Sequence, residues 1–153
     1  LEMNTLKQFL YKIYRLSWKI TQLQTIGVRI FLIKNQQILL VKHTYSNQWF
    51  LPGGGLKKGE TLEQAIRREL AEELGVRIEK LELFGAYNNF FEGKKDYIIL
   101  FKSEDFSLPN KKDSEIDLFS FFSFEDIPKS TSPGTKRRIA EFLENKNAHF
   151  GNW

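Results

Sequence analysis

The 153-residue sequence contains no cysteine, which excludes disulfide bridges and any thiolate metal site or nucleophile. It has no apolar run long enough to cross a bilayer and no signal-peptide pattern. Internal repeats and low-complexity linkers are also absent. These absences favour one domain in a reducing compartment, and we predict a cytoplasmic location.

The composition is that of an ordered globular protein, with 41% apolar and 27% charged residues, and the length is sufficient for a hydrophobic core. The net charge of +4 weakly favours anionic partners. The basic residues are dispersed and form no stripe, so we do not expect duplex nucleic acid as a partner.

Strand-like and helix-like segments alternate along the chain. Thr61 and Gln64 have capping-box spacing and Gly75 is a natural stop, which predicts a helix over 61–74. A second helix is predicted over 133–145. The strand-like runs cover 26–33, 37–43, 78–91, 97–102 and 116–124. This order predicts an α/β domain in which helices cover a mixed sheet.

The first 23 residues form a separate segment ahead of the predicted domain, which we assign to residues 24–153. Within it, LKQFLYKIYRLSWKI (6–20) has the pattern of an amphipathic helix with basic residues among aromatic ones. We expect this helix to pack on the domain or to mediate dimerisation. Attachment to a membrane surface remains an alternative, and a transmembrane segment is not expected.

The segment LPGGGLKKGETLEQAIRRELAEELGV (51–76) joins a glycine loop to an acidic helix. At about 100° per residue, Glu69, Glu72 and Glu73 cluster beside the apolar stripe of the helix. Their mutual repulsion costs a few tenths of a kcal/mol per pair, roughly, and a hard divalent cation would remove it. The simpler alternative is a solvated helix face. The glycines at 53–55, whose backbone can approach an ion or phosphate closely, favour the metal.

This segment resembles the Nudix box: Gly, five residues, Glu, seven residues, Arg-Glu, an aliphatic residue, any residue, Glu-Glu, any residue, Gly and an aliphatic residue. The matching positions are Gly54, Glu60, Arg68, Glu69, Leu70, Glu72, Glu73, Gly75 and Val76. Trp49 ahead of the loop and Glu-Asp-Ile-Pro after the late aromatic run are also similar to the family. The resemblance covers roughly residues 24 to 145.

The resemblance implies the Nudix fold, a mixed β-sheet sandwiched between α-helices. It also implies hydrolysis of a nucleoside diphosphate linked to another moiety, with Mg²⁺ or Mn²⁺ as cofactor. By similarity, Glu69, Glu72 and Glu73 are the catalytic, metal-binding carboxylates, helped by the carbonyl of Gly53. In the family the general base is either the first helix glutamate, here Glu69, or an acid on a distant loop. The choice between them stays open, with Glu69 favoured.

The remaining box residues are expected to have structural roles. By similarity, an ion pair between Glu60 and Arg68 holds the loop to the helix. Gly54 and Gly75 are expected to be structural residues, which permit a close backbone approach in the loop and the end of the helix.

A further metal ligand is expected in KKDSEIDLF, because relatives recruit an acid from the loop before the late aromatic strand. Glu115 stands at the matching offset from the Phe121-Phe122 doublet. Asp113 and Asp117 are its rivals, and a solvated loop acid is the alternative.

Candidate substrate contacts lie outside the box. Arg29 interrupts an apolar strand, where an unpaired charge is costly, so we expect either a structural ion pair or a contact with a substrate phosphate. Tyr87, Phe90 and Phe91 are candidates for stacking on a nucleobase, with core packing as the alternative. The basic run 136–138 is predicted to be a solvated helix face.

The substrate is a nucleotide-type small molecule whose subclass markers are mostly missing, which leaves a nucleoside triphosphate or a nucleotide sugar. An ADP-ribose or dinucleoside polyphosphate pyrophosphatase is the alternative enzyme. A non-catalytic nucleotide sensor of the same fold is the alternative binding protein, but such proteins usually lose box glutamates, and here all are intact.

Overall fold

The computed structural model describes residues 24–91, 94–108, 116–145 and 149–153, except for the side chains of Phe91, Ile116 and Asp117. The predicted N-terminal helix within residues 1–23 lies outside this range, as do Glu115 and Asp113. The expectations for these residues therefore stay predictions.

A mixed β-sheet forms the centre of the molecule. Its strands run in the order β3-β2-β1-β5-β4-β7, with β6 paired to β2. β1 is parallel to β5 and antiparallel to β2, and β4 is antiparallel to β5 and parallel to β7. The strands are β1 Gln24–Lys34, β2 Gln37–His43, β3 Trp49–Phe50, β4 Arg77–Phe91, β5 Lys94–Ser107, β6 Ile116–Ser123 and β7 His149–Asn152.

The β1–β2 hairpin turns at Asn35 and Gln36, whose φ angles are 51° and 60°. Two successive positive φ angles are the requirement of a type I′ turn, and Asn meets it at low cost. The predicted short connection between the first two strands is confirmed.

Two helices complete the described fold, α1 at Leu62–Leu74 and α2 at Pro133–Leu143. Thr61 caps α1 in a capping box with Gln64, and Gly75 ends it at a φ of 66°. Both predicted helices are confirmed, although the second ends at Leu143 and not at residue 145. Among the described residues, neither helix has the length and apolar content needed to span a membrane.

The two helices pack on opposite faces of the sheet, because side chains alternate between faces along a strand. From β1, Val28, Ile30 and Leu32 join the core cluster that contains the buried residues of α1. Phe31 and Ile33 join the second cluster, on the α2 side. The predicted α/β architecture, a mixed sheet between helices, is confirmed.

The prediction of a solvated basic face at 136–138 is wrong for Arg138, whose side chain is 3% exposed. Its guanidinium lies 4.0 Å from the centre of the Tyr87 ring. It also donates to the carbonyl oxygen of Asn152 at 2.8 Å and to Oε1 of Glu141 at 2.9 Å. The last residues of the chain return beside α2 and cover this part of the helix, which the sequence around Arg138 does not indicate.

Candidate active site

The glycine loop runs along the edge of β1 that faces away from β5. It lies beside residues 26–30, which precede the short pairing of β1 with β2 at Ile33 and Lys34. The amide of Val28 donates to the carbonyl oxygen of Gly54 at 2.9 Å, and the amide of Leu56 donates to that of Ile26 at 2.9 Å. A third bond joins Ile30 N to Pro52 O at 3.2 Å. The loop is therefore held like an additional strand, and its position relative to the sheet is fixed.

Two of the three consecutive glycines stand in close contacts, with backbone at Gly53 and with a movable side-chain end at Gly54. Gly53 has a φ of 132°, and a Cβ there would meet the carbonyl oxygen of Val28. A Cβ on Gly54 would overlap the carboxylate of Glu69. Around Gly55, by contrast, a Cβ would meet nothing within 4 Å. The first two glycines thus let the loop fit between β1 and the acidic face of α1.

Arg68 connects the loop to three glutamates. Its Nε and Nη2 donate to the two carboxylate oxygens of Glu60 at 2.5 and 2.9 Å. Nη1 donates to Glu69 at 2.8 Å and to Glu72 at 3.1 Å, and Nη2 also reaches the carbonyl oxygen of Gly55 at 3.0 Å. The ion pair predicted between Glu60 and Arg68 is confirmed.

This network shifts the acidity of both partners. The hydrogen bond from Arg68, aided by the amide of Lys57, lowers the pKa of Glu60 to about 2. The hydrogen bond to Glu60 in turn raises the pKa of Arg68, against the opposing effect of its burial. Both groups therefore remain charged at neutral pH, as a bidentate pair between planar groups requires.

Each of the three helix glutamates contacts the glycine loop. The side chains of Glu69 and Glu72 are 15% and 50% exposed. Glu73 is partly buried and accepts a hydrogen bond from the amide of Gly53 at 3.1 Å. Lys57 stands 3.7 Å from Glu72. In the described parts of the chain, no three acidic or histidine side chains converge closely enough to hold a metal ion between them.

Arg29 ties β1 to the glycine loop. Its Nη1 donates to the carbonyl oxygens of Val28 at 2.8 Å and of Gly54 at 3.1 Å. Burial lowers the pKa of its guanidinium, and the charges of Glu73, Asp96 and Glu69 oppose this shift. The arginine is only partly covered, so it also contributes to the surface beside the loop.

A cleft of about 560 Å³ opens beside the loop and the first half of β1. This volume is within the range of roughly 300–1,000 Å³ that is usual for small-molecule sites. Its charged lining residues are Arg29, Lys57, Lys58, Glu60, Lys94 and Asp96. Thr25 donates from Oγ1 to Oδ1 of Asp96 at 2.6 Å across this wall. The sequence did not indicate this pair, because Thr25 and Asp96 lie 71 positions apart in the chain. Only the parallel pairing of β1 with β5 makes them neighbours.

Tyr87 does not contribute to this cleft. Its side chain is 1% exposed and its hydroxyl donates to Oε2 of Glu141 at 2.9 Å. Burial raises the pKa of this hydroxyl. The ring contacts Arg138 and Trp153 in the core cluster on the α2 side, where a nucleobase cannot stack on it. The structure therefore favours core packing, the alternative that the sequence left open. Phe90 is 60% exposed and its ring meets that of Tyr97 edge-on.

The chain matches the family model of the NUDIX domain over residues 23–143. It is 26% identical over 113 residues to a MutT-like protein of Streptomyces ambofaciens. The aligned residues make up 74% of this chain and 72% of that protein. A nucleoside triphosphatase, NudI, of Enterobacter sp. is 57% identical over 35 residues, 23% of this chain but only 25% of that protein. The structure of a NUDIX hydrolase from Nitrosomonas europaea superposes with a TM-score of 0.72 and 21% identity, covering 82% of this chain and 93% of that one. At this identity the structural similarity concerns the fold.

Proposed function

Because the chain belongs to the Nudix family, we propose that it hydrolyses the pyrophosphate bond of a nucleoside diphosphate linked to another moiety, using Mg²⁺ or Mn²⁺. One observation carries the proposal: the intact acidic face of α1 lies against the glycine loop, next to a cleft with basic walls. Arg68 holds the acidic face of α1 against the glycine loop through its hydrogen bonds to Glu60, Glu69 and Glu72.

The donors available at the site suit a hard divalent cation. Glu69, Glu72 and Glu73 offer carboxylate oxygens and Gly53 offers its carbonyl oxygen, which are the ligand types that Mg²⁺ prefers. Nη1 of Arg68 donates to the carboxylates of both Glu69 and Glu72, which supports the proposal that these two groups share a bound cation. Glu115, which directly precedes β6 in the sequence, is proposed as a fourth carboxylate ligand.

A bound divalent cation would offset the negative charge that develops on the polyphosphate and would lower the pKa of a water molecule. Glu69 is proposed to accept the proton from the attacking water, a role that contributes roughly 10²–10⁴-fold to a rate. Arg68 holds this carboxylate through Nη1. Arg29 is proposed to contact a substrate phosphate from the wall of the cleft.

The basic side chains of the cleft support a substrate with several phosphate charges. Arg29, Lys57, Lys58 and Lys94 line it together with only two acids, and one of these, Glu60, is already paired with Arg68. We propose a nucleoside triphosphate or a nucleotide sugar as the substrate. ADP-ribose and dinucleoside polyphosphates are the alternative substrates, and a non-catalytic nucleotide sensor is the alternative function.

The test is a panel of nucleoside triphosphates, nucleotide sugars, ADP-ribose and dinucleoside polyphosphates, incubated with Mg²⁺ or Mn²⁺ and separated by chromatography. We expect the release of a nucleoside monophosphate or of pyrophosphate from at least one substrate. If nucleotides bind but none is cleaved with either metal, the sensor function replaces the proposal.

A pair of matched variants connects the activity to the acidic face. Glu72→Gln should reduce turnover by at least about 10²-fold, while Glu63→Gln, an exposed acid on the same helix, should leave it unchanged. Mg²⁺ at a hundred times its dissociation constant should stabilise the wild type by about 2.7 kcal/mol, and Glu72→Gln should weaken this effect. Equal activity and equal metal stabilisation in the two variants would show that Glu72 has no metal-binding role.

A further inference from the structure

The sheet face on which α1 packs extends well beyond that helix. Ile99 of β5 packs against the core cluster formed with α1, and Phe101 belongs to that cluster. Ile99 pairs with Ala86 of β4, which pairs with Phe150 of β7. Paired residues of adjacent strands point to the same side of a sheet. This face therefore continues across β4 to the edge strand β7.

The extended part of this face is exposed and carries mostly apolar side chains, although the same strand pairings also put Asn88, Lys95 and Asn152 on it. Six residues from four strands define it, and we call it the open face: Ile26, Leu83, Phe90, Tyr97, Ile99 and Phe150. Phe150 is 85% exposed, Leu83 and Phe90 are each 60% exposed, and Ile26 is 38% exposed. Within the described residues, α1 packs on another part of this face and α2 packs on the opposite face. Several large apolar side chains exposed on one face of a sheet usually mark an interaction site.

The segment that immediately precedes β1 has a complementary sequence. In residues 6–20 the apolar positions Leu6, Phe9, Ile13, Leu16 and Ile20 recur at alternating spacings of three and four. On a helix of about 100° per residue these five side chains fall within an arc of about 80°. Lys7 and Arg15 fall outside this arc by about 100° or more. Leu10 lies about 40° beyond this arc and widens the aliphatic stripe to about 120°, and Tyr14 and Trp18 continue it on the same side. The segment thus has an apolar face that can pack on an apolar surface.

The length of a helix at 6–20 and its point of attachment to β1 also fit the open face. A 15-residue helix is about 22 Å long, and the four strands of the open face span about 14 Å at about 4.8 Å per spacing. The chain enters the sheet at Gln24, two residues before Ile26, which belongs to the open face. A helix at 6–20 would be joined to this edge by only three residues, 21–23. It would therefore be present at a high local concentration next to the open face.

We propose that residues 6–20 pack as an amphipathic helix across the open face, with the apolar stripe on Leu83, Phe90 and Phe150. The occupant is this segment of the same chain, because the short connection to β1 favours it over a second copy or a lipid surface. The basic residues of the segment then face the solvent. The proposal is independent of the enzymatic activity.

The first test is limited trypsin digestion of the full chain, since Lys7, Lys12, Arg15 and Lys19 are all cleavage sites in the segment. Packing on the open face should protect these sites. Leu83→Ser and Phe150→Ser, each at an exposed position, should increase the rate of cleavage within residues 7–19 at least about tenfold. Tyr45→Ser is the matched control, because Tyr45 is 80% exposed but lies outside the open face.

A second measurement uses the absence of cysteine from the chain. Spin labels on cysteines introduced at Lys12 and at Glu104, an exposed residue outside the open face, should give one narrow distance distribution, which Phe150→Ser should broaden. A broad distribution in the unsubstituted background would overturn the proposal.

Three further results would also overturn it. The first is cleavage of the segment at the same rate in Leu83→Ser, Phe150→Ser and the wild type. The second is a dimer in light scattering that Phe150→Ser dissociates, which would identify a second copy as the occupant. The third is co-sedimentation with vesicles of phosphatidylserine and phosphatidylcholine that Phe150→Ser abolishes, which would identify a membrane surface.

Discussion

Arg68 and Glu60 form a two-point ion pair, in which Nε and Nη2 of the arginine donate to different oxygens of one carboxylate at 2.5 and 2.9 Å. The two side chains are 19% and 18% exposed. Because the same guanidinium also donates to Glu69 and Glu72, the pair sets the position of the acidic face of α1 relative to the glycine loop.

The pair predicts a specific dependence of stability on pH. The pKa of Glu60 is lowered from 4.5 to about 2 in the folded protein, chiefly by the hydrogen bond from Arg68. Below its unfolded pKa, Glu60 takes up a proton more readily in the unfolded chain. The stabilisation is therefore complete above about pH 4.5 and is lost as the pH falls towards about 2.

Urea unfolding at pH 7 and pH 3 checks this dependence. The difference in the free energy of unfolding between the wild type and Glu60→Gln should shrink at the lower pH. Glu63→Gln, which removes an exposed pair with Arg67, should have a smaller effect at pH 7. A difference for Glu60→Gln that is equal at both pH values contradicts the assignment.

The three glycines of the loop should respond differently to alanine. Gly54→Ala should displace the Glu69 carboxylate and reduce kcat/KM by about 10²-fold or more, with a small change in stability. Gly53→Ala should destabilise the fold by about 1–3 kcal/mol, because a non-glycine residue is strained at the φ of 132° that Gly53 adopts. Gly55→Ala, with open space around its Cα, should stay within about 0.5 kcal/mol of the wild type.

Steady-state kinetics and urea unfolding of these three variants separate the effects. Full activity in Gly54→Ala would mean that the close contact with Glu69 is unimportant for catalysis. A loss of activity in Gly55→Ala equal to that in Gly54→Ala would point to general loop stiffness as the cause.

Tyr87 should matter for stability and not for substrate binding. Tyr87→Leu removes the ring under Arg138 and the hydrogen bond to Glu141, and it should cost on the order of 3 kcal/mol. KM should remain unchanged at temperatures where the variant is folded. Tyr45→Leu, at an exposed position, is the control for stability. An increased KM with unchanged stability in Tyr87→Leu would restore the prediction of base stacking.

Glu115 remains the proposed fourth metal ligand. Glu115→Gln should lower turnover and weaken the affinity for Mg²⁺ in calorimetry, and as a metal ligand it should matter little for the stability of the metal-free protein. Asp113→Asn and Asp117→Asn are the matched controls and should have much smaller effects. If Glu115→Gln retains the full rate while one of the aspartate variants loses it, that aspartate is the ligand.

The sequence was sufficient wherever the relevant interactions are local. The capping box of Thr61 and Gln64, the stop at Gly75 and the run of branched apolar residues in β1 follow from steric and hydrogen-bonding preferences that act within a few residues. The same holds for the box, whose members from Gly54 to Val76 form one loop and one helix. The resemblance of this spacing to the Nudix box therefore implied both the fold and the Glu60–Arg68 pair.

Only the tertiary structure decided the environments created by distant segments. The two-residue strand β3 and the four-residue strand β7 are too short for a periodic pattern, and they exist because longer strands offer them an edge. β7 explains why Arg138 is buried and why Tyr87 is part of the core, since residues near the end of the chain cover both. The pair of Thr25 with Asp96 arises in the same way from the pairing of β1 with β5. The burial of a side chain depends on which remote segment packs against it, and local sequence does not contain that information.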